Sequence, residues 1–207
     1  MIRERNGHMM AAVLHGPEDL KIERVEIPAV GSEDLLIRVK AALTCGTDFK
    51  VFRRGYHARM IVPPAVFGHE LAGEIDAIGE GCTIPHSTIP NSHLRTAGVI
   101  GSHRLSNTGG EGGPVTVGSH RPSFHGGWSD EGLRVVAANS APCGECFYCL
   151  KGLEELCEDL LFVNGAYAEY ITIPERIVGK NLLVIPDHVS FGSAALVEPL
   201  ACVEQIE

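Results

Sequence analysis

Four cysteines, Cys143, Cys146, Cys149 and Cys157, fall in the stretch Cys-Gly-Glu-Cys-Phe-Tyr-Cys-Leu-Lys-Gly-Leu-Glu-Glu-Leu-Cys. Three of them are each separated by two residues, and the fourth follows one short loop later. Such a run can close the tetrahedral thiolate cage that Zn²⁺ takes at Zn–S distances near ~2.3 Å. Gly144 and Gly152 supply the tight turns a metal knuckle needs. The competing use of such cysteines is a disulfide pair. The first residues, Met-Ile-Arg-Glu-Arg-Asn-Gly-His, carry charge but no apolar run, so they do not read as an export signal. Thiols in a reducing compartment favour metal over cystine. The run is therefore read as a structural zinc site, sealed against substrate.

The rest of the composition narrows the class. The chain has 207 residues, 44% hydrophobic and 21% charged, an ordinary globular balance. That length holds one substantial core, or one domain with an appendage. A formal net charge of -9 argues against a nucleic-acid surface, because phosphate binding needs clustered Lys and Arg. No apolar run approaches the ~20 residues that span a bilayer. The expectation from these features is a cytoplasmic chain with neither membrane nor nucleic acid as partner.

Short segments rich in Val, Ile and Leu at 11–14, 20–27 and 35–42 are punctuated by Gly16-Pro17, Pro28 and Gly31 and read as strands. Their spacing predicts a barrel-like, mainly β unit with short helices rather than βαβ units. A helical turn is expected over 47–54, capped by Thr47 or Asp48, and a further strand over 71–78. Residues 83–132 are rich in Gly, Ser, Pro and His and lack apolar periodicity. They read as a disordered or irregular insertion, whose five histidines (His86, His93, His103, His120, His125) are irregularly spaced, as solvated side chains are. Strand texture resumes at 134–137 and again over 166–173. A helix is expected over 189–197 with Ser190 as cap. Glu198-Pro199 then interrupts it, and Pro199 opens a second helix running through Cys202.

Two more segments carry chemistry: Cys45-Gly46-Thr47-Asp48, and Gly68-His69-Glu70-Leu71-Ala72-Gly73. A thiolate, an imidazole and a carboxylate together suit a three-ligand zinc site with one position open. Singly, Cys45 reads as a small buried hydrophobe and His69-Glu70 as surface decoration. In one order with the four-cysteine run they resemble the zinc-dependent medium-chain alcohol and polyol dehydrogenases. The similarity covers roughly 10–82 and 133–207 and leaves residues 1–8 outside it as an N-terminal extension.

That resemblance implies a GroES-like, partly open β-barrel catalytic domain, discontinuous over 9–82 and 133–207, holding two Zn²⁺ ions. Cys143, Cys146, Cys149 and Cys157 would hold the structural ion, and Cys45, His69, Glu70 and Glu198 the catalytic one. Cys202, one turn beyond Glu198, is the rival for the last ligand. The implied activity is NAD- or NADP-dependent oxidation of a secondary alcohol, such as a polyol or hydroxy amino acid, through a zinc alkoxide and hydride transfer. Zinc lowers the pKa of bound water from 15.7 to about 7 and acts on an alcohol likewise. Thr47 would relay the substrate proton; relatives continue that relay with a histidine where this chain has Lys50.

The nicotinamide site of such enzymes needs Gly-x-Gly-x-x-Gly between a strand and a helix. Gly109-Gly110-Glu111-Gly112-Gly113 does not have that setting. The expectation is a catalytic half without its Rossmann cofactor domain, a homo-oligomer by family habit. The alternative is a zinc-stabilised remnant or interaction module without turnover.

Overall fold

The computed structural model describes residues 7–84 and 131–204. The expected insertion over 83–132, its five histidines included, falls almost wholly outside these residues. Strand β1 (His8–Gly16) pairs antiparallel with β2 (Asp19–Glu26) on one side and with β4 (Ala65–Val66) on the other. β2 is an edge, and its outward Lys21, Glu23, Arg24 and Glu26 suit one, since charge discourages pairing with other chains.

The second sheet has five strands: β3 (Leu35–Leu43), β5 (Glu70–Ile78), β6 (Arg134–Ala137), β9 (Tyr170–Ile173) and β10 (Leu182–Val184). Their order is β10-β6-β5-β3-β9, every pair antiparallel. Leu35, Ile37, Leu71, Ile75, Val135, Ile171 and Ile173 point from this sheet into the main core. Helix α2 (Glu175–Asn181) closes that core with Ile177 and Val178, both fully buried. Each such side chain contributes about 1.5–3 kcal/mol of hydrophobic stabilisation.

The β3–β5 pair is the longest in this sheet, and its register slips twice. Ile37 faces Ile75 while Leu36 faces Ala77, leaving Asp76 as an extra residue on β5. Ala41 faces Ala72 while Val39 faces Gly73, leaving Lys40 as an extra residue on β3. The two bulges lie on opposite strands and cancel. Both extra residues are anchored by charge, Asp76 to Arg38 at 2.6 Å and Lys40 to Glu74 at 3.0 Å.

Residues 167–169 stitch the two sheets together. Tyr167 O accepts from Ala12 N–H at 2.8 Å, and Glu169 O accepts from Val39 N–H at 2.9 Å. The result is a mainly β architecture with short helices, open rather than closed, as expected. No helix among the described residues is long and apolar enough to cross a membrane.

Three local expectations need correction. Helix α1 (Gly46–Arg54) is capped by Cys45, not by Thr47 or Asp48. The sulfur accepts the Thr47 N–H at 3.2 Å while the Asp48 carboxylate accepts the Cys45 N–H at 2.9 Å, a reciprocal capping box. The strand expected over 166–173 is regular only as β9, because 166–169 divide their hydrogen bonds between Gly68, Phe67, Ala12 and Met10. The helix expected over 189–197 is only α3 (Phe191–Ala194), capped by Ser190 as expected. A separate α4 (Val197–Glu204) follows. Pro199 has no N–H for the Ala195 carbonyl, which loosens the chain just before α4.

Candidate metal centres

A short ribbon of β7 (Ser140–Ala141) and β8 (Leu161–Phe162) closes the base of a lobe that contains all four clustered cysteines. The lobe has almost no core of its own: Phe147 is 63% exposed and Leu150 73%. Gly144 and Gly152 both have positive φ, +85° and +73°, so the glycine turns expected there are present. The sulfurs converge. Cys143 lies 3.9 Å from Cys149 and 3.5 Å from Cys157; Cys146 lies 3.5 Å from Cys149 and 4.0 Å from Cys157.

A tetrahedron with ~2.3 Å Zn–S bonds has S–S edges of about 3.8 Å, whereas a disulfide needs about 2.05 Å. The observed spread brackets the first value and excludes the second. Backbone amides add donors: Cys143 N–H to the Cys157 sulfur at 3.2 Å and Cys146 N–H to the Cys143 sulfur at 3.4 Å. Hydrogen bonds from the backbone at Cys149 and Glu158 pull the Cys146 thiol down to about 6, whereas burial pushes the Cys149 thiol up to about 12, so it is the sulfur geometry that carries the fit to metal. The four residues fit a zinc ion.

The second cluster is assembled by the sheet. Leu43 at the end of β3 faces Glu70 at the start of β5, so Cys45, two residues past Leu43, meets His69-Glu70. Gly68 makes this turn possible. Its φ is +88°, and a Cβ there would overlap the Tyr167 ring. Cys45 Sγ lies 3.3 Å from His69 Nε2, and His69 Nε2 lies 4.0 Å from Glu70 Oε1. One ligand atom from each of the three residues lies within 4.8 Å of the other two.

His69 and Glu70 are buried, and Glu70 Oε1 has no hydrogen-bond partner. A buried carboxylate oxygen without a donor is costly. A cation between sulfur, imidazole and carboxylate relieves that cost, so these residues also fit a metal.

Asp48 orients the imidazole. Its Oδ1 lies 3.1 Å from His69 Nδ1, a charge pairing whose direction falls short of a hydrogen bond. The pairing places the proton on Nδ1 and leaves Nε2 facing Cys45 and Glu70. Burial opposes the charge on both partners, yet their pairing wins: His69 is raised above the ordinary imidazole value and Asp48 is held below the ordinary carboxylate value.

Glu198, in the first turn of α4, stands outside the three-residue group but adjoins it. Burial raises its pKa, the charge of His69 pulls it down, and the charge of Glu70 pushes it up. Cys202 Sγ lies 3.9 Å from Glu198 Oε1, so the rival ligand sits beside its competitor. Thr47 is half-buried in the first turn of α1. Lys50, one turn on, is exposed.

Two residues of this site were not singled out by sequence. Asp48 reads from sequence as a possible cap and as part of the Cys45–Asp48 segment but not as a partner of His69, although Cys-x-x-Asp is a capping-box spacing that holds a carboxylate beside the ligand. Tyr167, whose hydroxyl lies 3.0 Å from Asp48 Oδ2, gave no local signal at all.

A mainly β fold carries two groups of side chains whose donor atoms suit a metal, a four-cysteine lobe and a half-buried thiol beside a buried imidazole and carboxylate. The model of the alcohol dehydrogenase GroES-like domain matches residues 31–87 and 115–187, and the chain belongs to that family of zinc-dependent medium-chain dehydrogenases. The unmatched residues 88–114 lie inside the segment read as an insertion, while the match itself extends over 83–87 and 115–132 of that segment.

The chain is 28% identical to sorbitol dehydrogenase of Bacillus subtilis, over 94% of its own length and 43% of that protein. It is 31% identical to L-threonine 3-dehydrogenase of a Chelativorans species, over 93% of its length and 44% of that protein. A thermostable alcohol dehydrogenase from Pyrobaculum aerophilum with bound cobalt and zinc superposes with a TM-score of 0.60 at 25% identity, covering 92% of this chain and 45% of that one. A short chain alcohol dehydrogenase from E. coli CFT073, complexed with NADH, gives 0.63 at 25% identity, covering 96% and 44%. The chain thus spans less than half the length of the relatives it matches.

Proposed function

We propose that this chain is the zinc-binding catalytic portion of an NAD(P)-dependent dehydrogenase acting on a secondary alcohol, a polyol or a hydroxy amino acid. The observation that carries the reading is the convergence of Cys45, His69 and Glu70 around a buried carboxylate oxygen that lacks a donor. Glu198 completes the set from α4, with Cys202 as its rival. The names of the relatives, sorbitol and L-threonine 3-dehydrogenase, support a hydroxyl flanked by further polar groups. Residues 9–82 and 133–207 form the catalytic unit in this reading, interrupted by 83–132.

A zinc ion at this centre supplies Lewis-acid polarisation of the substrate oxygen, which eases loss of its proton. The protein groups do the rest. Asp48 fixes the His69 tautomer so that Nε2 is available as a ligand atom. The Thr47 hydroxyl takes the substrate proton and passes it outward; Lys50, one turn on, is exposed to solvent. The buried surroundings of His69 and Glu70 keep bulk water from competing. The hydride acceptor is NAD or NADP. The four-cysteine lobe takes no part in the chemistry and holds its own ion for stability.

The test is metal content followed by ligand response. The purified chain should hold two zinc ions, and His69→Ala should reduce that to one while the four-cysteine lobe keeps its own. With cobalt in the mixed site, sorbitol or L-threonine should perturb the visible absorption. A parent chain with a single ion, lost on Cys143→Ser, defeats the catalytic-centre reading. Two ions with no response to any polyol or hydroxy amino acid favour the interaction-module alternative.

A further inference from the structure

The Tyr167 hydroxyl stands where an otherwise packed aromatic residue has no need of one. Its ring is already used: it meets Phe67 edge-on at 5.6 Å and covers the Cα of Gly68. The oxygen extends beyond that packing into the polar space between β3 and α1. Leu43 O and Thr44 Oγ1 lie 2.8 Å away, and Asp48 Oδ2 lies 3.0 Å away.

A phenol has one proton to give. A buried carboxylate is the strongest acceptor of the three, and the Thr44 hydroxyl can turn to donate to the phenol oxygen. Asp48 is 1% exposed. Its Oδ2 then receives two donors, Tyr167 O–H and Cys45 N–H, which leaves Oδ1 directed at His69 Nδ1. The same ring therefore seats the turn before His69 and, through its hydroxyl, the carboxylate behind His69.

We propose that Tyr167 is a positioning residue of the Cys45/His69/Glu70 centre, acting through Asp48 to hold the His69 imidazole in its metal-binding orientation. The inference rests on the metal reading of that centre. It makes the hydroxyl, rather than the ring, the functional part of the side chain.

Tyr167→Phe keeps the ring and removes only the oxygen. Cobalt titration of the chain against a competing chelator, read from the distinct absorption of all-sulfur and mixed sites, separates the two centres. The variant should bind cobalt at the mixed site about tenfold more weakly, the lower end of what outer-sphere partners of ligating histidines contribute. The four-cysteine site should be unchanged. In an Asp48→Asn background, adding Tyr167→Phe should cost nothing more, because the path through Asp48 is already cut.

Unchanged mixed-site affinity, an equal loss at both sites, or an undiminished effect in the Asp48→Asn background each overturns the proposal. A parent chain that takes no cobalt at the mixed site overturns the metal reading together with it. Parent binding matched by the Tyr167→Phe variant overturns the role of Tyr167 alone. A second measurement leaves residue 167 intact: the Tyr167 phenolic proton, slow to exchange with solvent in the parent, should exchange faster in Asp48→Asn. An unchanged rate also overturns the proposal.

Discussion

The two ligand clusters are built in opposite ways. The four-cysteine lobe draws its ligands from one short run of chain, held by glycine turns above a two-residue ribbon, and its apolar side chains face water. The mixed cluster draws Cys45 and His69 from positions 24 residues apart, and its members come together only because β3 and β5 pair. Without an ion the lobe has little else to fold around. The mixed centre sits on a sheet whose core is complete without it. Local spacing makes a site that needs metal to exist; long-range pairing makes a site that exists before metal and can leave a position open.

The strongest way to break this comparison is Cys143→Ser. It should remove the lobe's ion, one of two zinc equivalents, and expose 142–160 to protease while the sheets persist, since structural zinc carries about 10–16 kcal/mol of such a unit's folding energy. Loss of both ions would refute the independence of the two centres, and no change in protease sensitivity would refute the lobe's need of metal.

A pair of glycine variants sharpens it. Gly68→Ala combines an unfavourable φ with overlap on the Tyr167 ring and should cost roughly 2–6 kcal/mol in urea unfolding. Gly152→Ala in the lobe has the same sign of φ but open space around it, and should cost only about 1–2 kcal/mol. Equal costs would show that residue 68 is not held by tertiary packing.

The smallest expected effect is on pH dependence. Burial alone would lower the His69 pKa, but Asp48 raises it on balance, so this pairing stabilises the metal-free chain below the ordinary imidazole value of 6.5 and fades as pH rises through the higher folded value. Asp48, held below the ordinary aspartate value of 3.8, stabilises above that pH and fades on acidification. Melting of the metal-free chain should therefore peak between these limits, and Asp48→Asn should flatten both limbs. A profile that Asp48→Asn leaves unchanged would show that the pair does not contribute.

The same contrast explains what could be read from sequence. The cysteine spacing is local geometry, so the lobe's sulfurs could be named before any fold was known. Cys45, His69 and Glu70 became a set only by resemblance, because nothing in either segment encodes the β3–β5 register. The strands read at 11–14, 20–27 and 35–42 from Val, Ile and Leu between turn residues are present, at 8–16, 19–26 and 35–43. Helix α2 was not, since Glu175–Asn181 is short and presents only Ile177 and Val178 to the core. The Tyr167–Asp48 contact spans 119 residues and depends on where 167–169 cross between the sheets. No periodicity announces such a contact.

The paired bulges at Lys40 and Asp76 are places where these two strands can change length without moving the site. Each is the surplus residue at its bulge, so its removal would straighten the strand locally while Val39 still meets Gly73, Ala41 still meets Ala72 and Ile37 still meets Ile75. What would be lost is the ion pair of the surplus side chain, Lys40 with Glu74 or Asp76 with Arg38, and the thiol would stay in line with the imidazole.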